Sequence, residues 1–580
     1  MAELSTTKGI SKGVIKLTVL LGISFAVILL FKPFATEEAY RAFPVIGSRV
    51  WVWIIAQLHL NFAAFVLGVP IFAVAMEFIG WRKSDERLDK IAHDFAKLFT
   101  VGYTITAILG TVLLISLPFL YPKFMDHLMK ILGPTWWLYC VVMYVETVIV
   151  ALYYYSWDRM KENSKGKHVF LGLLVNLAGT ALLLITSSWV GYMTTPGGVN
   201  ETTGELVNRW DAIKTYMWLP LSLHRLMANV VFGASIGAAY AAYRFITSTD
   251  PEDKAYYDWM GYTAAMISIA FYFILPGIGY LLGVEIYAFN EQMGIQLMGG
   301  FFAWLWVMQA ILMGLILFFI NYYLWISLNK MPGGDRYFKY VKLLYIFTLL
   351  GWAIWMTPHS VAVSLEEARR IGTYHPILGN LGVMASKNTA TIVAMLATFY
   401  SYAIFRIANK EPTVPWAKKG VIIKAAVMII SFTGILFIGY YSYIVSADFR
   451  VYVLSTIQFG LFFGVMIATL VIDKYLYKDA HIIGEPEWGK MPDRSQYALI
   501  GVTVTFAWLM ALLGYMRAGG RQYWHVYGVI QDTSPDAFLP THGFASVVSS
   551  ITTVLFFFVV AAVFWGMIKT EKVPEGGKTS

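Results

Sequence analysis

Long runs of apolar residues recur along the whole chain, and the short segments between them carry most of its charged residues. Each run is about 20 residues long, which is the length that an α-helix needs to cross the hydrocarbon core of a bilayer. The pattern predicts an all-α polytopic membrane protein with about 14 transmembrane helices. The predicted spans are residues 16–32, 50–80, 97–120, 134–157, 169–194, 214–246, 257–284, 298–326, 341–359, 385–408, 420–445, 450–475, 497–516 and 542–568.

Positive charge predicts how these helices are oriented. Every second loop is rich in Lys and Arg, as at 82–90 and 159–167, except the loop at 247–256, where Lys254 is outnumbered by acidic residues; short basic loops face the cytoplasm. Both termini are therefore expected in the cytoplasm, with the protein in a bacterial-type inner membrane. The first apolar run follows a basic segment but has no small-residue cleavage site after it, so it is expected to remain as an extra helix.

Composition narrows the possible functions. The chain is 58% hydrophobic and only 14% charged, whereas soluble domains are about 25% charged. Its net charge of +9 comes from loop residues, which indicates orientation and not a nucleic-acid partner. Because Cys140 is the single cysteine, an intrachain disulfide, a thiolate zinc site, an iron–sulfur cluster and a covalently attached haem are all excluded. Any haem must be held by residues such as His or Met.

One imidazole, His59, lies within the apolar helix that begins near Arg49. An ionisable side chain inside a membrane is costly, and it usually faces the bundle interior and pairs with another group. The partner of His59 is a haem iron or another metal in one interpretation, and a neighbouring hydroxyl or carbonyl in the other. Residues further along the chain favour the first interpretation.

Four stretches together resemble subunit I of the cytochrome bd quinol oxidases. They occur in that family's order, and the loop charges predict that His59, His224 and Arg521 lie toward the same, external side. The stretches are Arg49 to His59 with Met76-Glu77, Glu146 with Trp157-Asp158-Arg159, Ser188 to Pro196 followed by His224, and Gly520 to Gly528 with Arg521 and Trp524.

The resemblance implies a role for each of these residues. His224 and Met466 would ligate a low-spin haem b, with Met308 as the rival to Met466. His59 would bind at a high-spin site that holds one or two further haems of b or d type, and Glu146 would relay protons to it. Residues that would hold haem propionates or form an aromatic wall are Arg49, Arg521 and Trp524. For the arginines, snorkelling to the membrane interface is the alternative.

Two departures from the family affect the high-spin site. The family has a carboxylate at each of two positions where this chain has Leu138 and Ala518. Neither replacement can bind iron or carry a proton, so the high-spin pair is expected to be altered or incomplete. His525 and His542 could substitute as ligands, or they could form hydrogen bonds at the interface.

The sequence also predicts a division into five parts. Apolar spans fill the region where the family has a long polar loop that binds quinol, and the external loop 360–384 within them is either a donor-docking surface or a solvated loop helix. The parts are 1–48 (extra helix and linker), 49–297 (first part of the haem core), 298–445 (four inserted helices), 446–570 (second part of the haem core) and 571–580 (disordered tail).

Three functions follow as hypotheses. The first is a bd-like respiratory oxidoreductase that takes electrons from quinol or a c-type cytochrome, reduces oxygen, and works with a second membrane subunit. The second is a haem-bearing electron conduit that does not reduce oxygen. The third is a haem-free secondary transporter, which is disfavoured because the chain has no convincing internal repeat. A haem–copper oxidase is disfavoured because adjacent His-His and His-x-x-x-Tyr patterns are absent from the sequence.

Overall fold

The computed structural model describes residues 38–298, 302–357, 384–537 and 542–571, together with the isolated positions 19 and 22. Within these residues, 13 helices are long and apolar enough to cross a membrane. They correspond to the predicted spans after the first, which confirms the all-α polytopic fold. The predicted span 16–32, apart from positions 19 and 22, lies outside the described residues, as do nearly all of the predicted loop 360–384 and the tail from residue 572.

The long helices have the following bounds: α1 Ser48–Lys83, α2 Glu86–Leu120, α3 Pro122–Tyr155, α5 Lys165–Thr194, α7 Trp218–Thr247, α8 Pro251–Tyr272, α9 Leu275–Phe289, α11 Ala303–Ser327, α12 Phe338–Trp355, α13 Met384–Arg406, α14 Ala417–Tyr441, α16 Ser455–Leu476, α17 Asp493–Gly519 and α18 His542–Glu571. Shorter helices are α4 Trp157–Asn163, α6 Arg209–Ile213, α10 Glu291–Met298 and α15 Ala447–Phe449. Two antiparallel two-stranded sheets pair β1 Lys410–Glu411 with β2 His481–Ile482, and β3 Trp524–Val526 with β4 Ile530–Gln531.

The junction between α1 and α2 shows how sequence sets the helix ends. α1 finishes with Arg82 and Lys83, whose charges suit the negative end of the helix dipole. Ser84 then adopts a left-handed conformation with φ of 54°. The Asp85 side chain caps α2 by accepting from the backbone N–H groups of Arg87 at 3.0 Å and Leu88 at 3.2 Å. The chain therefore reverses direction within two residues.

The chain divides into two compact units, and the division falls inside α7 and α17. Unit one contains Met1–Ala234 and Met510–Ser580, and unit two contains Ser235–Leu509. The five-part division predicted from the sequence has other boundaries and remains a prediction about how the chain is organised.

In unit one, α1 is largely buried. Of its 18 most apolar consecutive residues 67% are buried, against 22% for the corresponding part of α2. Phe62 packs on Phe556 of α18 with ring centroids 4.8 Å apart, and Phe72 meets Phe95 of α2 edge to face at 5.0 Å. The helix that carries His59 is therefore enclosed by its neighbours.

Unit two is held by close helix contacts and buried polar pairs. α12 approaches α13 at Gly351, where a Cβ would lie 2.6 Å from the Ala390 carbonyl oxygen. At one end of this unit, Lys330 Nζ contacts Asp258 Oδ1 at 3.0 Å, with both side chains almost fully buried. The N–H of Gly489 donates to the other Asp258 oxygen at 3.0 Å, so both oxygens of this carboxylate have partners.

Candidate functional site

His59 is held by α2 in one tautomer. Its Nδ1 lies 3.0 Å from the backbone carbonyl oxygen of Thr106. Because a carbonyl can only accept, Nδ1 carries the hydrogen and Nε2 of the neutral ring keeps its lone pair. A second contact fixes the ring position, since a Cβ on Gly110 would lie only 2.8 Å from His59 Cε1. The ring is therefore oriented with the nitrogen that can bind a metal left open.

Glu146 is buried where α1, α2, α3 and α5 meet. Glu146 is 3% exposed, and its carboxyl group forms a hydrogen bond with the Tyr103 hydroxyl. That hydroxyl also lies 2.6 Å from Thr147 Oγ1. On the other side, a Cβ on Gly179 would be 3.1 Å from Glu146 Oε1 and 2.8 Å from Leu67 Cδ2. A proton held by this carboxyl group has a hydroxyl pair beside it as a path.

His224 lies near the start of α7 and is half-buried. Within the part of the chain that the structure describes, no side chain forms a hydrogen bond or ion pair with its ring. The next residue, Arg225, is fixed by α5 through contacts of 3.0 Å to Thr186 Oγ1 and 3.1 Å to Ser187 Oγ. The backbone around His224 is therefore anchored while its imidazole remains available.

Trp189, in the predicted stretch before His224, joins α5 to α3. Its ring stacks on Trp136 with centroids 4.0 Å apart and an angle of 6°. Its indole N–H donates to Thr135 Oγ1 at 2.8 Å. These contacts hold α5 against α3, the helix that carries Glu146.

The stretch after α17 turns back tightly and places Arg521 and Trp524 in unit one. Gln522 has a positive φ of 51°, which reverses the chain, and Trp524 begins β3. The Arg521 guanidinium donates to the carbonyl oxygen of His525 at 2.5 Å. Arg49 reaches the same region from α1, donating to the Asp536 carbonyl oxygen at 2.8 Å with Asp532 Oδ2 at 3.9 Å.

Four guanidinium groups interact electrostatically in this region, and we call them the arginine cluster: Arg49, Arg225, Arg517 and Arg521. Burial lowers the pKa of Arg521 to about 9, and its neighbours Arg517 and Arg49 act in the same direction against Asp532. Arg225 also acts on His59. Among the described residues the nearby carboxylates are Asp532 and Asp536, so positive charge is in excess and an anionic group would be stabilised.

Two members of the arginine cluster were missed by the sequence reasoning. Arg517 and Arg225 lie within apolar spans but outside the motifs that were used to select candidate residues. A usable signal existed, because Arg517 is one helical turn before Arg521 and Arg225 directly follows His224.

His525, a possible substitute ligand, already has partners. Its ring stacks on Phe124 at 4.8 Å and meets Tyr121 edge to face at 4.9 Å. Its Nε2 lies 3.4 Å from Asp532 Oδ1. Burial lowers the pKa of His525 to about 4, and Asp532 opposes this. These contacts favour the hydrogen-bonding alternative. The side chain of His542, the other possible substitute, lies outside the described part of the structure.

The two positions that lack a carboxylate differ in their surroundings. The Leu138 residue is 52% exposed on α3. The backbone carbonyl of Ala518 accepts from the N–H of Arg521 at 3.2 Å, as part of the turn that ends α17.

Met466 lies on α16 in unit two, whereas His224 lies in unit one. The Met466 side chain is half-buried. The rival Met308 is on α11, also in unit two, and has contacts of its own. The pairing of His224 with either methionine stays a prediction.

Comparison with known proteins bears on residues in the first half of the chain. The family model described as cytochrome bd terminal oxidase subunit I matches residues 48–293. A curated relative in Bacillus subtilis (strain 168), named "Putative cytochrome bd menaquinol oxidase subunit I", is 24% identical over 196 residues. That match spans 33% of this chain and 44% of the relative.

A solved structure, that of the bd oxidase from Geobacillus thermodenitrificans, is similar with a TM-score of 0.48 and 14% identity, covering 90% of this chain and 98% of that one. The family match includes three of the four stretches on which the resemblance was based, and the stretch at Gly520 to Gly528 lies beyond it. Residues 48–293 of this chain are therefore similar to the cytochrome bd terminal oxidase subunit I family.

Proposed function

We propose that this chain is a bd-like membrane cytochrome b that transfers electrons from quinol or a c-type cytochrome to oxygen. The observation that carries the proposal is the arginine cluster, an excess of buried positive charge near two imidazoles: His59, whose Nε2 keeps its lone pair, and His224, whose ring has no partner among the described side chains. A haem fits these residues, because its propionates are anionic and match the guanidinium fork, while its iron takes an imidazole nitrogen.

The proposed assignment follows the residues described above. His224 and Met466 would hold a low-spin haem b, and His59 would bind at a second site that holds one or two further haems of b or d type. Arg49 and Arg521 would bind propionates, and Trp524 would contribute to the aromatic wall. Bound haem would supply electron transfer and, at an open iron position, the reduction of oxygen.

The side chains of the protein would transfer protons to the site and stabilise the charge in it. Oxygen reduction to water consumes one proton for each electron, so a buried site needs a proton carrier. Glu146 is such a carrier, with Tyr103 and Thr147 beside it. The Thr106 carbonyl keeps the hydrogen of His59 on Nδ1, which maintains the ligand tautomer. The arginine cluster would hold negative charge at the external end of the site.

The protein is proposed to lie in the bacterial inner membrane and to work with a second membrane subunit. An electron conduit that does not reduce oxygen is the second candidate, favoured by Leu138 and Ala518 in place of carboxylates. A haem-free transporter is the remaining alternative, and a missing haem spectrum would favour it.

A reduced-minus-oxidised spectrum with a haem count, followed by oxygen uptake with reduced quinol or reduced cytochrome c, tests the proposal. We expect His59→Ala to lose one haem signal and Glu146→Gln to keep its haems but lose uptake by on the order of a hundredfold, as for loss of a positioned acid–base group. Uptake that is indifferent to both substitutions would contradict the oxidase assignment and favour the electron conduit.

A further inference from the structure

A second cluster of ionisable groups is buried at the other end of α1. Glu77 and His168 are both 0% exposed, with His168 Nδ1 2.5 Å from Glu77 Oε1. The Tyr153 hydroxyl donates to Glu77 Oε2 at 2.8 Å. Lys165 Nζ lies 3.2 Å from Glu77 Oε1 and 2.5 Å from Asp89 Oδ1. Residue 77 is 28 positions after residue 49, so about 40 Å of helix separates this cluster from Arg49.

The hydrogen bonds of His168 require a shared proton. Its Nε2 lies 2.8 Å from the Tyr153 carbonyl oxygen, which can only accept, so Nε2 carries a hydrogen. The opposite nitrogen, Nδ1, faces a carboxylate oxygen of Glu77. Either His168 is the cation and Glu77 the anion, or both are neutral and Glu77 is the donor. In each form one proton lies between Oε1 and Nδ1, and it can transfer from one atom to the other without any rearrangement of the side chains.

This pair connects to water at the protein surface. Asp89 is about one-tenth exposed at its side chain and contacts Lys161, whose side chain is 52% exposed, at 3.7 Å. Lys165, between Asp89 and Glu77, also packs over the Trp157 ring at 4.5 Å. The loop charges predict that this surface is the cytoplasmic one.

The same pair connects inward along one face of α5. His168, Gly172, Asn176 and Gly179 recur at helical spacing and so lie on one side of the helix. A Cβ on Gly172 would be 3.0 Å from the Tyr153 ring, and one on Gly179 would be 3.1 Å from Glu146 Oε1. The face therefore runs from the buried pair to Glu146.

Asn176, midway along this face, has an unused acceptor. Its Nδ2 donates to the Pro70 carbonyl oxygen at 3.2 Å. Its Oδ1 is buried without a hydrogen-bond partner among the described residues. A buried orphan acceptor costs free energy unless a water molecule satisfies it. A water at this oxygen would stand between the Glu77–His168 pair and Glu146.

We infer that the Glu77–His168 pair is a proton-exchange site that reloads Glu146 through water held at Asn176 Oδ1. The inference rests on the proposed role of Glu146 as proton carrier. In each cycle the shared proton leaves the pair for the water chain, an equivalent proton reaches Glu146, and the pair is refilled from the surface through Asp89 and Lys165. No electron moves and no other bond changes in this step.

Asn176→Leu is the most informative variant, because it removes the orphan acceptor and leaves the buried ion cluster intact. Asn321→Leu is a matched control. Asn321 is likewise an asparagine in a membrane helix: its Nδ2 has partners, among them Thr398 Oγ1 at 2.8 Å, and its buried Oδ1 has none among the described residues, but it belongs to unit two. Asn176→Asp keeps an oxygen for water and serves as the rescue variant.

The experiment measures proton exchange first without turnover, and then proton uptake during oxidation by oxygen. Infrared spectra of the purified full chain identify the Glu146 carboxyl band as the one that Glu146→Gln removes, and its shift after transfer to D₂O gives an exchange rate. A pH-indicator dye then follows proton uptake by the reduced protein after oxygen is added. We expect Asn176→Leu and Glu77→Gln to slow the carboxyl exchange and the dye signal by on the order of a hundredfold, with haem spectra unchanged. Asn321→Leu and Asn176→Asp should behave like wild type.

Exchange and uptake at the wild-type rate in Asn176→Leu would overturn the inference and leave the Glu77 cluster as a structural ion network. If Glu77→Gln does not fold, Asn176→Leu still decides. If Glu146 gives no carboxyl band, the dye measurement decides alone. A protein that binds no haem, or whose oxygen uptake ignores Glu146→Gln, would contradict the proposed function instead, and the exchange rate of the Glu146 band would remain measurable.

Discussion

Gly110→Ala is a small change that tests the position of His59. The added Cβ would lie 2.8 Å from His59 Cε1, 3.2 Å from Nδ1 and 3.7 Å from Nε2. Carbon atoms in favourable contact are about 3.5–4.0 Å apart, so the ring would have to withdraw by roughly 0.7–1.2 Å. Nδ1 is already 3.0 Å from the Thr106 carbonyl, and hydrogen bonds weaken beyond about 3.2 Å. The substitution therefore displaces the ring and releases its tautomer.

The expected result is selective. Overpacking of this kind costs about 1–3 kcal/mol, and displacement of the imidazole should reduce the occupancy or shift the spectrum of the haem that we assign to His59. The haem assigned to His224 should keep its low-spin bands, because His224 is on another helix. The assay is the reduced-minus-oxidised spectrum of the purified variant with its haem count.

Gly566→Ala is the matched control, since no atom lies within 4 Å of a Cβ at that position in α18. Ala favours helix over Gly by up to about 1 kcal/mol, so the control should be neutral or slightly stabilising. Wild-type haem content and spectra in Gly110→Ala would refute the reasoning, because they would mean that displacing the His59 ring does not affect any haem.

Three further predictions concern single side chains. Met466→Leu should weaken the low-spin bands and shift the potential of the haem assigned to His224; the same change produced by Met308→Leu instead would move the ligand to α11. Arg521→Gln should lower haem content or potential, and Arg521→Lys should recover it only in part because Lys lacks the bidentate fork; full haem content with wild-type potentials in Arg521→Gln would favour the snorkelling alternative. The His525 pKa of about 4, below its ordinary 6.5, means that the unfolded state binds more protons between these values, so the thermal midpoint in detergent should fall as pH decreases from about 6.5 to about 4, and His525→Gln should remove that part of the dependence.

The membrane helices could be predicted from hydropathy, whereas their ends could not. The predicted span 97–120 begins at Glu86 in the structure, and the span 134–157 begins at Pro122. An apolar run marks only the part of a helix that lies in hydrocarbon, and helices continue beyond it through polar turns. The cap of α2 at Asp85 is such an extension.

The candidate site residues also divide into those that the sequence indicates and those that only the structure reveals. His59, Glu146 and His224 could be found because an ionisable group within an apolar span needs an explanation. Tyr103 and Asn176 could not be found in this way, because hydroxyl and amide groups are common in membrane helices. Only the fold shows that the Tyr103 hydroxyl bonds to Glu146 and that Asn176 Oδ1 is buried without a described partner. The partners of His525 were also beyond prediction, because they come from the start of α3 and from the chain after β4.

The loss of the family's carboxylate at Leu138 has a structural explanation that leaves Glu146 unaffected. Positions 138 and 146 are eight residues apart on α3, which places them about 80° apart around the helix. The Leu138 residue is 52% exposed and Glu146 is 3% exposed. A carboxylate at position 138 would also be about half exposed on this chain, and an unpaired charge inside a membrane costs a few kcal/mol. Leu is therefore the residue expected wherever no partner supplies a counter-charge at that position, and the buried hydrogen-bonded group of Glu146, Tyr103 and Thr147 is independent of that change.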